Sequence, residues 1–130
     1  MAVFVRRPEG FYMANTVSWN LQMSVRDGHL DDARELMNEM VSATLEEPGA
    51  QSYEWFLSRD GKICHINEQY LNSDAVMVHL GNFGSRFADR FLTFFEPTSL
   101  SVYGEPSTEA RAALDGFGAS YLEWLGGFNR

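Results

Sequence analysis

Cysteine is nearly absent from this chain of 130 residues, and so is lysine. The one cysteine, Cys64, has no partner for an internal disulfide, which removes the disulfide-stapled class and suits a reducing compartment. Nine arginines and a single lysine stand against 18 acidic residues, for a net charge of −8. A duplex nucleic-acid binder needs a basic footprint to displace counterions, and an anionic membrane surface attracts the same residues. Neither partner is expected here. No apolar run reaches the roughly 20 residues of a membrane span. At the N-terminus, "MAVFVRRPEGFYMANT", Arg6 and Arg7 follow the short apolar patch, the reverse of the order in a secretory signal, so a cytoplasmic protein is expected. Phosphate-cradling glycine loops are missing as well. The 11 glycines are scattered, and "GNFGSRF" falls in a helical stretch, not after a strand. His29, His65 and His79 form no HxH or HxxxH pair, so no metal site is expected.

What the chain does have is apolar mass. Hydrophobic residues make up 45% and aromatic residues 14%, ten of them Phe, enough for one domain with a heavy core or a buried interface. Residues 1–15 show no period and read as an arm. From Val17 the alternation is strict: Val17, Trp19, Leu21, Met23 and Val25 share one face, and Ser18, Asn20, Gln22 and Ser24 the other. That is a half-buried strand. "HLDDARELMNEMVSATLEEPG" then carries a helical apolar stripe, with Asp31 and Asp32 in the first turn and Pro48-Gly49 as the stop. "QSYEWFLS" and "KICHINEQYL" flank a tight turn at Asp60-Gly61 and read as a hairpin. Asn72-Ser73-Asp74 caps a second helix that runs to Phe94 or Phe95, weakened or broken at Gly81 and Gly84. "TSLSVYGEP" reads as a fourth strand, and "STEARAALDGFGASYLEWL" as a capped terminal helix interrupted near Gly116 to Gly118.

The order β-α-β-β-α-β with an appended helix is the ferredoxin-like split βαβ, an α+β fold with one antiparallel sheet and helices on one face. The expected organisation is an arm (1–15), a main domain (16–105) and a C-terminal helical extension (106–130). The second face of the sheet is expected to carry apolar residues and to be covered by a second copy, giving a two-fold homodimer.

On the third strand Cys64, Ile66, Glu68 and Tyr70 share a face. His79 lies on the helix that follows, four residues from Ala75 and from Phe83. If that stripe faces the sheet, His79 leans toward Glu68 and Tyr70, and the three can meet around a small molecule. They equally suit a structural pair that ties strand to helix.

"EEPGAQSYEW" (46–55) and "NEQYLNSDAVMVH" (67–79) resemble the antibiotic biosynthesis monooxygenase family of dimeric α+β barrels, over about Trp19 to Tyr103. The first has the Glu-Pro-Gly stop followed by Ser-Tyr-Glu. The second has a Glu, an aromatic two residues on, then Ala and His four apart. The family's usual Trp is replaced by Tyr70. The resemblance implies a homodimer with a pocket between sheet and helices in each subunit. It also implies oxidation of hydroxylated aromatics by molecular oxygen with no metal or flavin. A haem-degrading branch uses an Asn on the first strand, a Trp after the third and a His late in the second helix. Asn20 matches the first, but Tyr70 stands for the Trp and no His follows His79, which argues against haem breakdown.

Such oxygenation starts from an electron-rich anion. A ring hydroxyl with a pKa of about 10 must lose its proton, and an imidazole poised near neutrality suits that task. His79 is the expected base, Glu68 its orienting carboxylate, and Tyr70, Asn20 or Asn67 a donor to the developing oxyanion, although Asn67 has the opposite parity to Tyr70. Tyr53, Trp55, Phe83 and Phe87 are the expected flat walls for a small aromatic or apolar metabolite. The bland alternatives remain open at this level. The Phe83, Phe87, Phe91 and Phe94 series has the spacing of a packed helix, and Asn20 suits a solvated face or a dimer seam.

Overall fold

A computed structural model describes residues 15–130. The expected arm therefore lies almost wholly outside the described residues. Strand β1 (Val17–Val25) is the centre of a five-stranded mixed sheet. It is followed by α1 (Leu30–Leu45), β2 (Ala50–Leu57), β3 (Ile63–Tyr70), α2 (Ser73–Arg86), α3 (Ala88–Phe94), β4 (Phe95–Tyr103), α4 (Thr108–Asp115) and β5 (Ala119–Leu122). The sheet order is β2-β3-β1-β4-β5, antiparallel except for the parallel pair β4 and β5. This is the expected ferredoxin-like α+β fold with one further strand.

Strand parity decides which side chains face the helices. Trp19 pairs with Glu68 on one side and Val102 on the other, and Leu21 pairs with Ile66 and Leu100. Two buried clusters fill the space beneath the helices. Met23, Leu36, Met40, Ile66, Phe91 and Phe95 form one with their neighbours. Val17, Trp19, Tyr70, Val76, Val102 and Leu114 anchor the other.

Three expectations are corrected. The second helix does not break at Gly81 or Gly84, which face open space within α2. It bends at Phe87, whose ring is buried and whose backbone (φ −126°, ψ −21°) is at once the end of α2 and the start of α3. The C-terminal extension is helical only to Asp115. A turn through Gly118, at φ +77°, then feeds β5, where Tyr121 pairs with Val102 and so takes its place in the sheet. Lastly, the sheet face away from the helices is polar at its centre. Ser18, Asn20 and Gln22 lie beside Asn67, Gln69, Ser99 and Ser101, and the apolar Phe56, Ile63, Tyr103 and Leu122 stand only at its rims.

The Glu-Pro-Gly stop has a packing reason. A Cβ on Gly49 would collide with the Cβ of Ala75 in the first turn of α2, while the Gly49 carbonyl accepts from the Leu71 N–H at 2.9 Å. The absence of a side chain lets the end of α1 sit against the start of α2. Gly49→Ala is therefore expected to cost about 1–3 kcal/mol in urea denaturation, as overpacking does. Adding Ala75→Gly should restore part of the loss, less the roughly 1 kcal/mol of a helical glycine. Gly81→Ala, with open space around it, should stabilise by roughly 0.5–1 kcal/mol. Equal behaviour of the two glycine variants would contradict the close approach.

Candidate functional site

Three parts of the chain bring one ionisable group each to a common point. Glu68 comes from β3, held between Trp19 of β1 and Tyr53 of β2 by the ladder register. His79 comes from the buried stripe of α2. Glu47 comes from the turn after α1, placed against α2 by the glycine contact just described. All three are buried among apolar neighbours. His79 bridges the two carboxylates: Nδ1 lies 3.1 Å from Glu47 Oε1 and Nε2 lies 3.3 Å from Glu68 Oε1. Asn82, one turn along α2, donates from Nδ2 to the other Glu47 oxygen at 3.1 Å. Tyr70 donates its hydroxyl to Glu68 Oε1 at 2.7 Å. Both donors to Glu68 use Oε1, so Oε2 has no hydrogen-bond partner among the described residues.

The bridge fixes the charge of the imidazole. Burial disfavours the cation, but the hydrogen bonds and charges of Glu47 and Glu68 outweigh it and raise the His79 pKa to about 9. At pH 7 the ring is an imidazolium. Aromatic rings surround it: the centroids of Tyr70 and Tyr53 lie 4.9 and 5.6 Å away, within the range where a ring quadrupole favours a cation. Burial pushes the Glu47 carboxyl up, but bonds from His79 and Asn82 prevail and hold it below its ordinary value. The Tyr70 and Tyr53 hydroxyls are driven far up, first by burial and then by Glu68, and stay neutral donors at any working pH. Cys64 is buried and its thiol is raised to about 11, so it offers no nucleophile.

A cavity of about 380 Å³ opens where the two core clusters meet. Glu68, His79 and Tyr53 form its polar end; its remaining walls include Trp19, Met40, Phe83, Phe91 and Leu100. Among the described residues, no three His, Cys, Asp or Glu side chains are grouped to hold a metal ion. No helix among them is long and apolar enough to cross a membrane.

Of the residues expected at the site, His79, Glu68, Tyr53 and Phe83 line the cavity. Tyr70 does not. It lies wholly buried behind Glu68, its ring 4.9 Å from that of Trp19, and positions the carboxylate. Asn20 lies on the opposite face of the sheet, donating to Asn67 Oδ1 at 2.7 Å, because its parity is that of Ser18 and Gln22. Trp55 has the right parity but pairs with Ile66, one step too far along the strand, and packs near Phe95. Phe87 fills the core at the bend between α2 and α3. Sequence reasoning missed Glu47 and Asn82. A signal existed: His79 and Asn82 are three apart on one helix face, two donors that call for an acceptor with two oxygens, and Glu47 closes the preceding helix.

The scan of protein-family models matches residues 16–96 to the family described as antibiotic biosynthesis monooxygenase. No curated protein sequence matches. Among solved structures, MupZ from Pseudomonas fluorescens superposes with a TM-score of 0.75 at 19% identity, over 89% of this chain and 95% of that one. A conserved protein from Methanosarcina mazei gives a TM-score of 0.64 at 13% identity, over 73% and 97%. SnoaB, a cofactor-independent oxygenase from Streptomyces nogalater, gives 0.61 at 14% identity, over 72% and 96%. At these identities the superpositions bear on the fold alone.

The bridge gives stability a defined pH dependence. His79 has a folded pKa of about 9 against an ordinary 6.5, so its contribution is complete below about pH 6.5 and is lost as pH rises through about 9. Glu47, held below its ordinary 4.5, contributes fully above that value and less as pH falls further. Thermal melts should therefore show a plateau between about pH 4.5 and 6.5 and a fall toward pH 9 of roughly 3 kcal/mol. Glu47→Gln should flatten the alkaline fall. An unchanged alkaline limb in that variant would show that Glu47 does not hold the proton on His79.

Proposed function

This chain belongs to the antibiotic biosynthesis monooxygenase family, and on that premise we propose that it is a cofactor-independent monooxygenase that oxidises a hydroxylated aromatic ring of quinol or anthrone type with molecular oxygen. The supporting observation is the apolar cavity whose polar end is Glu68 and His79. The roles differ from those expected of the same residues. His79 is already protonated at neutral pH, so it is not the resting base. Glu68 presents beside the cavity an oxygen with no hydrogen-bond partner among the described residues, and takes the ring proton.

The charge arithmetic favours this division of labour. Glu47, His79 and Glu68 together carry one net negative charge. Transfer of a proton from substrate to Glu68 moves that charge onto the substrate oxygen without burying a new one. Ionising a ring hydroxyl of pKa about 10 at pH 7 costs roughly 4 kcal/mol. The adjacent imidazolium offsets part of that by stabilising the oxyanion in a water-poor site. The anion then passes an electron to oxygen. Recombination forms a peroxide at a ring carbon, which takes back the proton held by Glu68. Its collapse removes that carbon's hydrogen with the outer oxygen as water, so that the ring C–H, the hydroxyl O–H and O2 become two C=O groups and one H2O. Tyr70 and Glu47 never touch the substrate and act by positioning Glu68 and His79.

A second reading, a non-catalytic binder of an apolar metabolite, draws on one observation: both His79 nitrogens are already engaged by carboxylates. Under either reading the working form is a homodimer in the cytoplasm, with a second copy on the polar sheet face inside its apolar rim.

Oxygen consumption with an anthrone or quinol, after treatment of the protein with chelator, tests the enzyme reading. Glu68→Gln should lower the rate at least about a hundredfold. With His79 acting as a cation, the rate corrected for autoxidation should fall as pH rises through about 9. A rate that climbs to that pH would return the base role to His79. Saturable binding without oxygen uptake would favour the binder.

A further inference from the structure

The family match ends at residue 96, yet three residues beyond position 113 line the cavity: Leu114, Gly116 and Phe117. They belong to the end of α4 and the turn into β5. That turn is built to hold one position. Backbone N–H groups of Gly116, Phe117 and Gly118 donate to the carbonyls of Ala113, Leu114 and Asp115 at 3.2, 2.9 and 3.0 Å. Across it, the Tyr121 hydroxyl reaches the Arg111 carbonyl at 3.0 Å and Asp115 Oδ1 at 2.6 Å. Leu114 and Ala110 anchor the helix in the core. On this rigid support Phe117 is half exposed, and its ring meets Phe83 edge-on at 6.1 Å. Phe83 in turn meets Phe91 edge-on at 5.3 Å.

Phe83 lies one helical turn along α2 from His79, and Phe117 meets its ring at that end of the cavity. Size makes that end matter. An apolar cavity of about 150 Å³ suffices for benzene. The 380 Å³ here leaves a large apolar volume beyond any single ring seated at Glu68. Water is poorly served by such walls, since it needs two to four polar partners.

We propose that Phe117, carried by the C-terminal extension, is a specificity-determining residue that packs against the part of the ligand distal to its ionisable hydroxyl. The extension thus reads the size of the aromatic system, while the family-matched segment supplies the charged end. This rests on the reading of the cavity as a site for a hydroxylated aromatic.

The test is calorimetric binding under anaerobic conditions, which separates recognition from turnover. The probes are a one-ring ligand, 1,4-dihydroxybenzene, and a three-ring ligand, anthrone, whose enol tautomer carries the ionisable hydroxyl. Phe117→Ala should weaken anthrone binding by about tenfold, the scale of one aromatic contact, and change the one-ring ligand by less than about twofold. Phe117→Leu, which keeps an apolar wall, should fall between. Equal losses for both probes, or tighter anthrone binding in Phe117→Ala, would overturn the proposal and leave the charged end untouched. If the wild-type protein binds neither probe, the cavity reading falls and this proposal with it. Binding that keeps the expected pattern without oxygen uptake in air would remove the enzyme reading alone.

Discussion

Everything at the site depends on one buried cation held between two buried carboxylates. Ions in apolar surroundings cost several kcal/mol each unless attraction and hydrogen bonds compensate. Here they do so by geometry: Nδ1 and Nε2 of His79 point at Glu47 and Glu68, Asn82 serves the second oxygen of Glu47, and Tyr70 serves Glu68. The arrangement leaves one carboxylate oxygen with no bonded partner among the described residues, on the side chain that reaches the cavity. Under the proposed function, that oxygen is the one that takes a proton from whatever enters the cavity.

The fold exists to bring those groups together from distant parts of the chain. Glu47 and His79 are 32 residues apart, and only the missing side chain at Gly49 lets their segments approach. Glu68 is fixed by strand parity and by the register with Trp19 and Tyr53. Removing His79 strands two carboxylates, and removing either carboxylate takes a partner from the ring, so the same contacts that position the site also hold strand, helix and turn together. Structure and function draw on a single set of contacts, and the two readings of the pair, structural tie or chemical group, are not exclusive.

Much of this was legible in the sequence because it follows from periodicity. The alternation from Val17 fixed which residues of β1 face the helices, and the parity of Cys64, Ile66, Glu68 and Tyr70 put the carboxylate indoors. The Asn72 and Ser107 caps fell where expected, each accepting from an N–H three residues on. What periodicity cannot convey is depth along an element. It could not say that Tyr70 lies behind Glu68 instead of beside a ligand, or that Trp55 is one step too far along β2. Nor could it reveal Glu47, since a helix-end carboxylate reads as solvated until the fold buries it. The extension misled for a related reason: Ser120, Tyr121 and Leu122 are too few to show alternation without a neighbouring strand to pair with.

The protonation state of His79 at neutral pH separates a bridging cation from an ordinary catalytic base most directly. Nitrogen-15 NMR of the imidazole in the intact protein reads it without reference to substrate or turnover. Two protonated ring nitrogens at pH 7, with loss of the first proton near pH 9, are expected. A neutral ring at pH 7, with one bare nitrogen, would contradict the bridge and the division of roles built on it.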